Sequence, residues 1–542
     1  MIQLYKIRRR KFFCLLTIIS CLSSNSYAQI FDEKYIRYQA PEFMNYDELV
    51  ALAKDPLPGE RIEAKVKKIF NTPIISNEAY YEGKRPRNLR DSKLGPYIRV
   101  AQWNIEKSID LDSAIKSFTS EEEFKKLIDT KKYSPGSREF QEVLVQRARL
   151  EKADILILQE MDIGMKRSQY RNSPQDLAKA LGMNYAYGIE QLEIDPVNLG
   201  MKEEFTYEDG TVDEKMYKIF QVDPEKYKGM FGSAVLSRYP IKRVEVFQLK
   251  NQAYDWYNQE KAKLPFLEKI RRGVAQEVFL EKLFREMKVG GRIYMRVDLD
   301  VPGLPENTLT VINIHLEIKC KPKKREIQIC EILPYLHDIK NPVIMAGDFN
   351  CANEDLSPTT VKREIRRMVT DPTFIFSQAI SFLLPQGMLI SLGRFMSNLT
   401  KNFQDPTAAH IPIIFPNKVK GLFNAIEDFR FGDGRCFDFR GDSDRSINGK
   451  SGTLADSNER DLRGYKMTFT TERTILGVVG KYRLDWIFVK PLNLYDPKDK
   501  SASYQFAPHF GATLEEMNSR LRQNISDHSP NVADIPLEEP RL

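Results

Sequence analysis

Val343-Ile344-Met345-Ala346-Gly347-Asp348-Phe349-Asn350 is the segment on which the reading of this chain turns. An apolar, strand-like run ends in Gly-Asp-Phe-Asn, which sets a carboxylate and an amide two residues apart. Period-two geometry predicts that Asp348 and Asn350 face the same side of a strand, where an acid and a neutral donor can together handle an attacked phosphate. Taken alone, the same residues describe an ordinary polar strand-to-loop turn. The rest of the chain decides between the two.

Five other segments end or begin strands with polar groups of the kind that phosphate chemistry needs. Arg99-Val100-Ala101-Gln102-Trp103-Asn104-Ile105-Glu106 sets Asn104 and Glu106 on one face at the end of a strand. Ala153 to Glu160 carries a carboxylate at the end of an apolar strand, where burial is costly unless a cation or donor neutralises it. Glu160 is therefore the leading metal-ligand candidate, with a salt-bridged strand end as the bland alternative. Thr310 to Glu317 brings His315 after a β-branched run, in a chain with five histidines. Tyr482 to Phe488 holds Asp485 inside an apolar strand, so that it needs a partner, and Ser526-Asp527-His528-Ser529-Pro530 can supply one. An imidazole oriented by an aspartate becomes a useful acid, base or phosphate-binding cation.

In this order the motifs Trp-Asn-Ile-Glu, Leu-Gln-Glu, Gly-Ser-Ala-Val-Leu-Ser-Arg-Tyr-Pro, Asn-Ile-His-Leu-Glu, Gly-Asp-Phe-Asn with Leu-Asp-Trp-Ile-Phe, and Ser-Asp-His-Ser-Pro span roughly residues 97 to 534. The series resembles the endonuclease/exonuclease/phosphatase superfamily. That resemblance implies an α+β fold, a four-layer αββα sandwich of the deoxyribonuclease-I type, here with long helical insertions. It implies Glu160 as principal ligand of Mg²⁺ (or Mn²⁺), helped by Asn104, Glu106 and Asp527. It further implies that Asp348 and Asn350 orient or deprotonate water and hold the phosphate. His528, paired with Asp485, would then stabilise the pentavalent transition state, and His315 and Asn104 would contact the substrate. Two positions depart from the family pattern. Glu106 stands where many relatives carry Asp or Asn, and Ser233 where many carry Asn, so ligand geometry near them is expected to differ.

The chain has 542 residues with 42% hydrophobic and 29% charged composition, enough for a large core. Lys6, Arg8, Arg9, Arg10 and Lys11 precede the apolar run Phe12 to Leu22, the shape of a secretory leader. Ser26-Tyr27-Ala28 predicts cleavage after residue 28. The rivals are a signal anchor, for which the run is short of the roughly 20 residues that span a bilayer, and lipid attachment at Cys21. Removing five basic residues takes the formal +7 to about +2, so a basic pI argues little for nucleic-acid binding. Cys320, Cys330, Cys351 and Cys436 remain, too few for a disulfide scaffold and without zinc spacing. Cys320 with Cys330 is the nearest pair for a disulfide.

Residues 29–95 read as a Pro-broken, Tyr-rich lead-in rather than core, and 96–535 as the catalytic domain, with insertions near 190–230, 251–290 and 355–464. Asn251 to Val289 has the spacing of a surface helix pair ending at Gly290-Gly291. Phe374 to Gly393, uncharged for twenty positions, reads as a buried helix pair or else a lipid-contacting surface. Arg440 to Glu459 reads as a polar loop. Within it Gly449-Lys450-Ser451 is no phosphate-binding loop, because Asp444 stands where the first glycine belongs, and Arg440-Gly441-Asp442 is a turn.

The expected activity is hydrolysis of a phosphate ester by direct water attack, of phosphodiesterase or nuclease type, in an exported protein that is periplasmic or secreted. The substrate alternatives are a phospholipid headgroup, as in sphingomyelinases, or an inositol phosphate. No stable protein partner is expected, and peripheral membrane contact is. Nucleic acid would use Arg363, Arg366 and Arg367 or the Lys319 to Arg325 run, whereas a lipid would use Phe374 to Gly393 or Trp256-Tyr257 as an apolar collar. A rival of another class is a catalytically inactive binding platform, against which stands the retention of Asn104, Glu160, Asp348, Asn350, Asp485, Asp527 and His528.

Overall fold

The computed structural model describes residues 34–86, 96–207, 209–261, 286–350, 420–438, 468–470, 481–482, 484–493 and 511–536. Its main compact unit runs from Arg37 to Leu542. The expected leader, Cys351, the arginines at 363, 366 and 367, Phe374 to Gly393 and Arg440 to Glu459 lie outside the described residues, as do most of the expected 251–290 and 355–464 insertions.

Among the described residues nine strands form one sheet. They are β1 (Tyr38–Gln39), β2 (Ile74–Ser76), β3 (Tyr97–Asn104), β4 (Ile155–Ile163), β5 (Asn184–Glu193), β6 (Met230–Ser237), β8 (Lys288–Gly290), β15 (Gly511–Thr513) and β16 (Asn531–Pro536). Their order is β1-β2-β5-β6-β4-β3-β16-β15, with β8 added to β5. A second sheet is formed by β7 (Ile241–Gln248), β9 (Ile293–Asp300), β10 (Thr308–His315), β11 (Val343–Asp348) and β14 (Asp485–Lys490), in the order β14-β11-β10-β9-β7. A separate antiparallel pair is β12 (Phe469–Thr470) with β13 (Lys481–Tyr482).

Alternation along the strands explains why these sheets stack. On β3, Ile98 and Val100 join Ile155, Ile157, Val311, Ile344, Ala346, Ile487 and Val489 in an apolar cluster between the sheets. The intervening Trp103, Leu156 and Leu158 turn outward onto the helices Leu111–Thr119 and Arg138–Glu151. On the other sheet Ile312, Ile314, Met345 and Trp486 turn outward onto the helices Pro322–Ile332 and Lys420–Asp428. Three apolar clusters between four layers make an αββα sandwich, as expected.

The same alternation carries polar residues to one end of the sandwich. Inward-facing Val100 leads to Gln102 and Asn104, Val311 to Asn313 and His315, and Ala346 to Asp348. Gly347 is required at that end. Its φ is 151°, and a Cβ there would lie 1.8 Å from the Ile314 carbonyl oxygen.

Four expectations need correction. The 29–95 stretch contributes core: Leu49, Leu52, Ile69 and Phe70 are buried on two helices, and β2 pairs with β5. Prolines divide that stretch into pieces each long enough for one element, which hides the helical spacing of its apolar residues. The 190–230 insertion begins later than expected, because β5 continues to Glu193. Cys320 and Cys330 are free. They flank most of the helix Pro322–Ile332, whose length of roughly 1.5 Å per residue sets them farther apart than a disulfide reaches. Lastly, Trp256 and Tyr257 are buried rather than an exposed collar. In the Lys319 to Arg325 run, Lys321, Lys323 and Lys324 are exposed. Arg325 is buried and donates to the Glu317 and Cys320 carbonyls, while Lys319 pairs with Glu260.

Candidate active site

Strand register delivers the first three groups side by side. His315 pairs with Asp348 across β10 and β11, and Asp348 with Asp485 across β11 and β14. Gln102 and Asn104 arrive on β3 from the facing sheet, with Asn104 opposite Gln159 on β4.

Glu160 needs a different device. It is not at the end of β4, as the sequence suggests, but inside it. The β4 to β6 register slips between Leu158 and Met161, so that Gln159 and Glu160 together oppose Ser233. This bulge, with Glu160 at φ 56°, keeps Leu158 and Met161 on the outer face. A left-handed non-glycine residue costs about 1–3 kcal/mol, which the surrounding sheet must offset. A second slip lies between Ile189 and Gln191 on the other side of β6, where Glu190 keeps the inward direction of Ala186 while Tyr185, Tyr187 and Ile189 turn outward. The hydroxyl of Ser233, between the two bulges, donates to Glu190 Oε1. The departure at 233 is thus matched by a local carboxylate partner.

At one side of the site His528 Nδ1 lies 2.7 Å from Asp485 Oδ2, and Asp485 Oδ1 accepts from Gln102 Nε2 at 2.7 Å. Burial alone would favour the neutral ring. The charges of Asp485 and Asp527 outweigh it and push the His528 pKa well above its ordinary value. His528 Nε2 stands 3.9 Å from Asp348 Oδ2 and 4.0 Å from Asp527 Oδ1. Asp348 Oδ1 accepts from the Asn350 backbone at 2.7 Å, and its Oδ2 from Asn104 Nδ2 at 3.1 Å. Burial and the neighbouring Asp485 charge push the Asp348 carboxyl up, which suits a proton acceptor.

Asn104 Nδ2 also donates to Glu160 Oε1 at 3.1 Å, so one amide spans Glu160 and Asp348. Burial would push the Glu160 carboxyl up, but the charges of His315 and Lys107 hold it below its ordinary value. Burial carries the Asp527 carboxyl to about 6, with the Glu160 and Asp348 charges adding to it and His528 opposing. Strand alternation does not reach Asn350 or Glu106, contrary to expectation. Both lie past their strand ends, at φ 48° and 45°. Asn350 is turned to donate from Nδ2 to the Leu316 carbonyl at 2.9 Å. Glu106 caps the Asp527 backbone amide through Oε2 at 3.0 Å.

On the opposite side His315 Nδ1 lies 3.0 Å from Glu190 Oε2 and 2.7 Å from an Arg292 terminal nitrogen. A guanidinium can only donate, so a neutral ring accepts at Nδ1 and keeps its proton on Nε2; a charged ring has a proton there too. That nitrogen is buried without a hydrogen-bond partner, 3.9 Å from Glu160 Oε1. Burial would raise Glu190, but the charges of His315 and Arg292 hold it at about 2. Arg292 Nε in turn lies 3.4 Å from Glu317 Oε2, which accepts from Trp256 Nε1 at 2.9 Å.

All nine sequence-predicted site residues, Asn104, Glu106, Glu160, His315, Asp348, Asn350, Asp485, Asp527 and His528, meet at this end. Glu190, Arg292, Lys107 and Gln102 were not foreseen as site residues. The available signal was an acid inside the strand-like Tyr185 to Leu192 and an arginine right after Gly290-Gly291.

Two places could hold a cation. Donor atoms of Asp348, Asp485 and His528 lie within 4.8 Å of one another, but Asp485 and His528 already bond each other at 2.7 Å. The second is less tightly gathered: Glu160, Asp527 and Glu106 offer hard oxygens of the kind magnesium or manganese takes, and Glu160 and Asp527 are close enough to feel each other's charge.

A family profile described as the Endonuclease/Exonuclease/phosphatase family matches residues 101–528. Among solved structures, the endonuclease/exonuclease/phosphatase of Beutenbergia cavernae is similar at 15% identity over 82% of this chain and 72% of its own, TM-score 0.34. The Bacteroides vulgatus protein of that description is similar at 13% identity over 82% and 99%, TM-score 0.32. Sphingomyelinase C of Streptomyces griseocarneus gives 12% over 81% and 99%, TM-score 0.30. No curated protein sequence gives a significant match.

Proposed function

Because the chain belongs to the endonuclease/exonuclease/phosphatase family, we propose that it is a magnesium-dependent phosphodiesterase of nuclease type, hydrolysing its substrate by water attack without a covalent enzyme intermediate. The observation that carries this reading is the gap bounded by His528 Nε2, Asp348 Oδ2 and Asp527 Oδ1, with 3.9 and 4.0 Å separations wide enough for an incoming oxygen. The basic leader further supports an exported, periplasmic or secreted enzyme.

Asp348, fixed by the Asn350 backbone and by Asn104, takes the proton of the attacking water. Its burial makes it the stronger base. His528, kept charged by Asp485, donates from Nε2 to a phosphoryl oxygen as negative charge builds there. His315 presents its unpartnered Nε2 to the phosphate from the facing side. Glu160, with Asn104, Glu106 and Asp527 around it, would hold magnesium, which would supply positive charge to the phosphate when bound.

The test is a panel of plasmid DNA, sphingomyelin liposomes and inositol phosphates, each assayed with magnesium and with EDTA. Metal-dependent cleavage of DNA is expected. Cleavage of lipid or inositol phosphate alone would replace the nuclease assignment, and no cleavage of any phosphate ester would remove the enzyme.

A further inference from the structure

Beside the site, one carboxylate is held by two ammonium groups. Glu286 Oε1 accepts from Lys107 Nζ and its Oε2 from Lys288 Nζ, both at 2.8 Å. Lys288 is almost fully buried, with Nζ 5.0 Å from the ring centre of Phe231 and 4.5 Å from that of Trp256. Phe231 in turn packs 6.2 Å from the His315 ring, which ties this clamp to the wall of the active site.

The backbone under Lys107 is built at a cost. Glu106, Lys107 and Ser108 have φ of 45°, 55° and 55°, three left-handed residues in succession, each costing about 1–2 kcal/mol. A surface salt bridge needs no such turn. The turn keeps Glu106 on the Asp527 amide while directing the next side chain back along the site, where the Lys107 charge is felt by Glu160. Glu286, by contrast, comes from the far end of the 251–290 insertion, outside the strand framework. Its backbone amide rests on Glu260 Oε2 at 3.5 Å, and Lys319 holds Glu260 Oε1 at 2.8 Å. Among the described residues the base of the insertion thus meets this edge of the site through carboxylates that pair with lysines. Two ammoniums gripping the two oxygens of one anion is also the way proteins grip a phosphate.

We propose that Lys107 and Lys288 form a subsite for a second phosphate of the substrate, next to the scissile one, and that the Glu286 carboxylate fills this subsite while substrate is absent. The inference rests on the phosphate-ester reading for what binds at Glu160. Substrate displaces the Glu286 carboxylate. The subsite favours a nucleic-acid backbone or a multiply phosphorylated headgroup over an isolated monophosphate, since only those carry the second anion.

The test is calorimetry on the full mature protein with magnesium, using methylenediphosphonate, which presents two phosphoryl groups and resists hydrolysis, and methylphosphonate, which presents one. Wild type should prefer the diphosphonate. Glu286→Gln should tighten diphosphonate binding about fivefold, as expected for removal of a competing charge, and Lys107→Met should abolish the preference in either background. Should Glu286→Gln not fold, Lys107→Met and Lys288→Met in the wild-type background carry the same comparison. Unchanged or weaker diphosphonate binding by Glu286→Gln, or a preference that survives Lys107→Met, overturns the subsite. Displacement of the diphosphonate by a dinucleotide bisphosphate or by an inositol bisphosphate separates the two sources, and displacement by neither overturns it as well. Turnover is not read in this experiment. Inactivity toward every ester with the expected binding pattern would sink the phosphodiesterase reading and keep the subsite; activity without the pattern would sink the subsite alone.

Discussion

The two site histidines stand in the same kind of pair but in opposite surroundings. His528 has Asp485 at 2.7 Å and His315 has Glu190 at 3.0 Å, each through Nδ1, each leaving Nε2 toward the gap. Around His528 the neighbours are acids, Asp348 and Asp527, and the ring is held charged. Around His315 the acid is answered by Arg292, which touches both ring and carboxylate. One pair is therefore a stored positive charge and the other a donor fixed in place. A histidine–carboxylate pair does not define a role; the third partner does.

The comparison breaks first at His528. His528→Ala should lower kcat by about a thousandfold, the scale of a lost charge stabiliser, with KM changed far less. Asp485→Asn should fall nearly as far. It should also bring the alkaline fall in activity down toward neutral pH. The sign follows from the raised pKa of His528: its charge, and the stability it contributes, are complete below its ordinary pKa near 6.5 and are lost only as pH rises through the higher folded value.

Glu190→Gln should cost less activity, about ten- to a hundredfold, because it orients a donor instead of supplying charge. Its mark is on stability. A buried carboxyl held at about 2 contributes on the order of 3 kcal/mol. That contribution is present above the ordinary carboxylate range and lost as pH falls through about 2, so denaturant curves of wild type and variant should converge in acid. Equal stability of the two at neutral pH would show that the His315 pair is not the fixed one.

Gln102→Leu removes the donor to Asp485 Oδ1. A loss of about tenfold in kcat is expected, with KM unchanged. Trp256→Phe removes the donor to Glu317, three contacts from His315, and should change kcat/KM only about threefold. A Trp256 effect as large as that of Gln102 would make the two sides equivalent, against the comparison.

Much of the His528 side was legible in the sequence. An acid inside the apolar Leu484 to Val489 strand demanded a partner, and the Ser-Asp-His segment was a fitting one. Strand alternation also gave Asn104, His315 and Asp348 their inward direction, and the ordered motifs gave the sandwich. The His315 side was half hidden. Glu190 shares the inward direction of Ala186, but it lay where an insertion was expected to begin, so strand alternation was not applied to it. Arg292 is near His315 only because β9 and β10 run antiparallel. The core role of Leu49 to Phe70 was masked by prolines that read as linker. Asn350 and Glu106 were placed by turns at φ 48° and 45°, not by the alternation that first drew attention to them.

The claim that most needs testing is that catalysis depends on a cation held at Glu160. Release of nitrophenol from bis(p-nitrophenyl) phosphate should be measured for wild type and Glu160→Gln across a magnesium titration, with EDTA as the zero point. The account predicts wild-type turnover that saturates with magnesium and stops with EDTA, and a variant that stays about a hundredfold slower even at the highest magnesium. Wild-type turnover that persists in EDTA, or a Glu160→Gln titration that overlays the wild type, would contradict it.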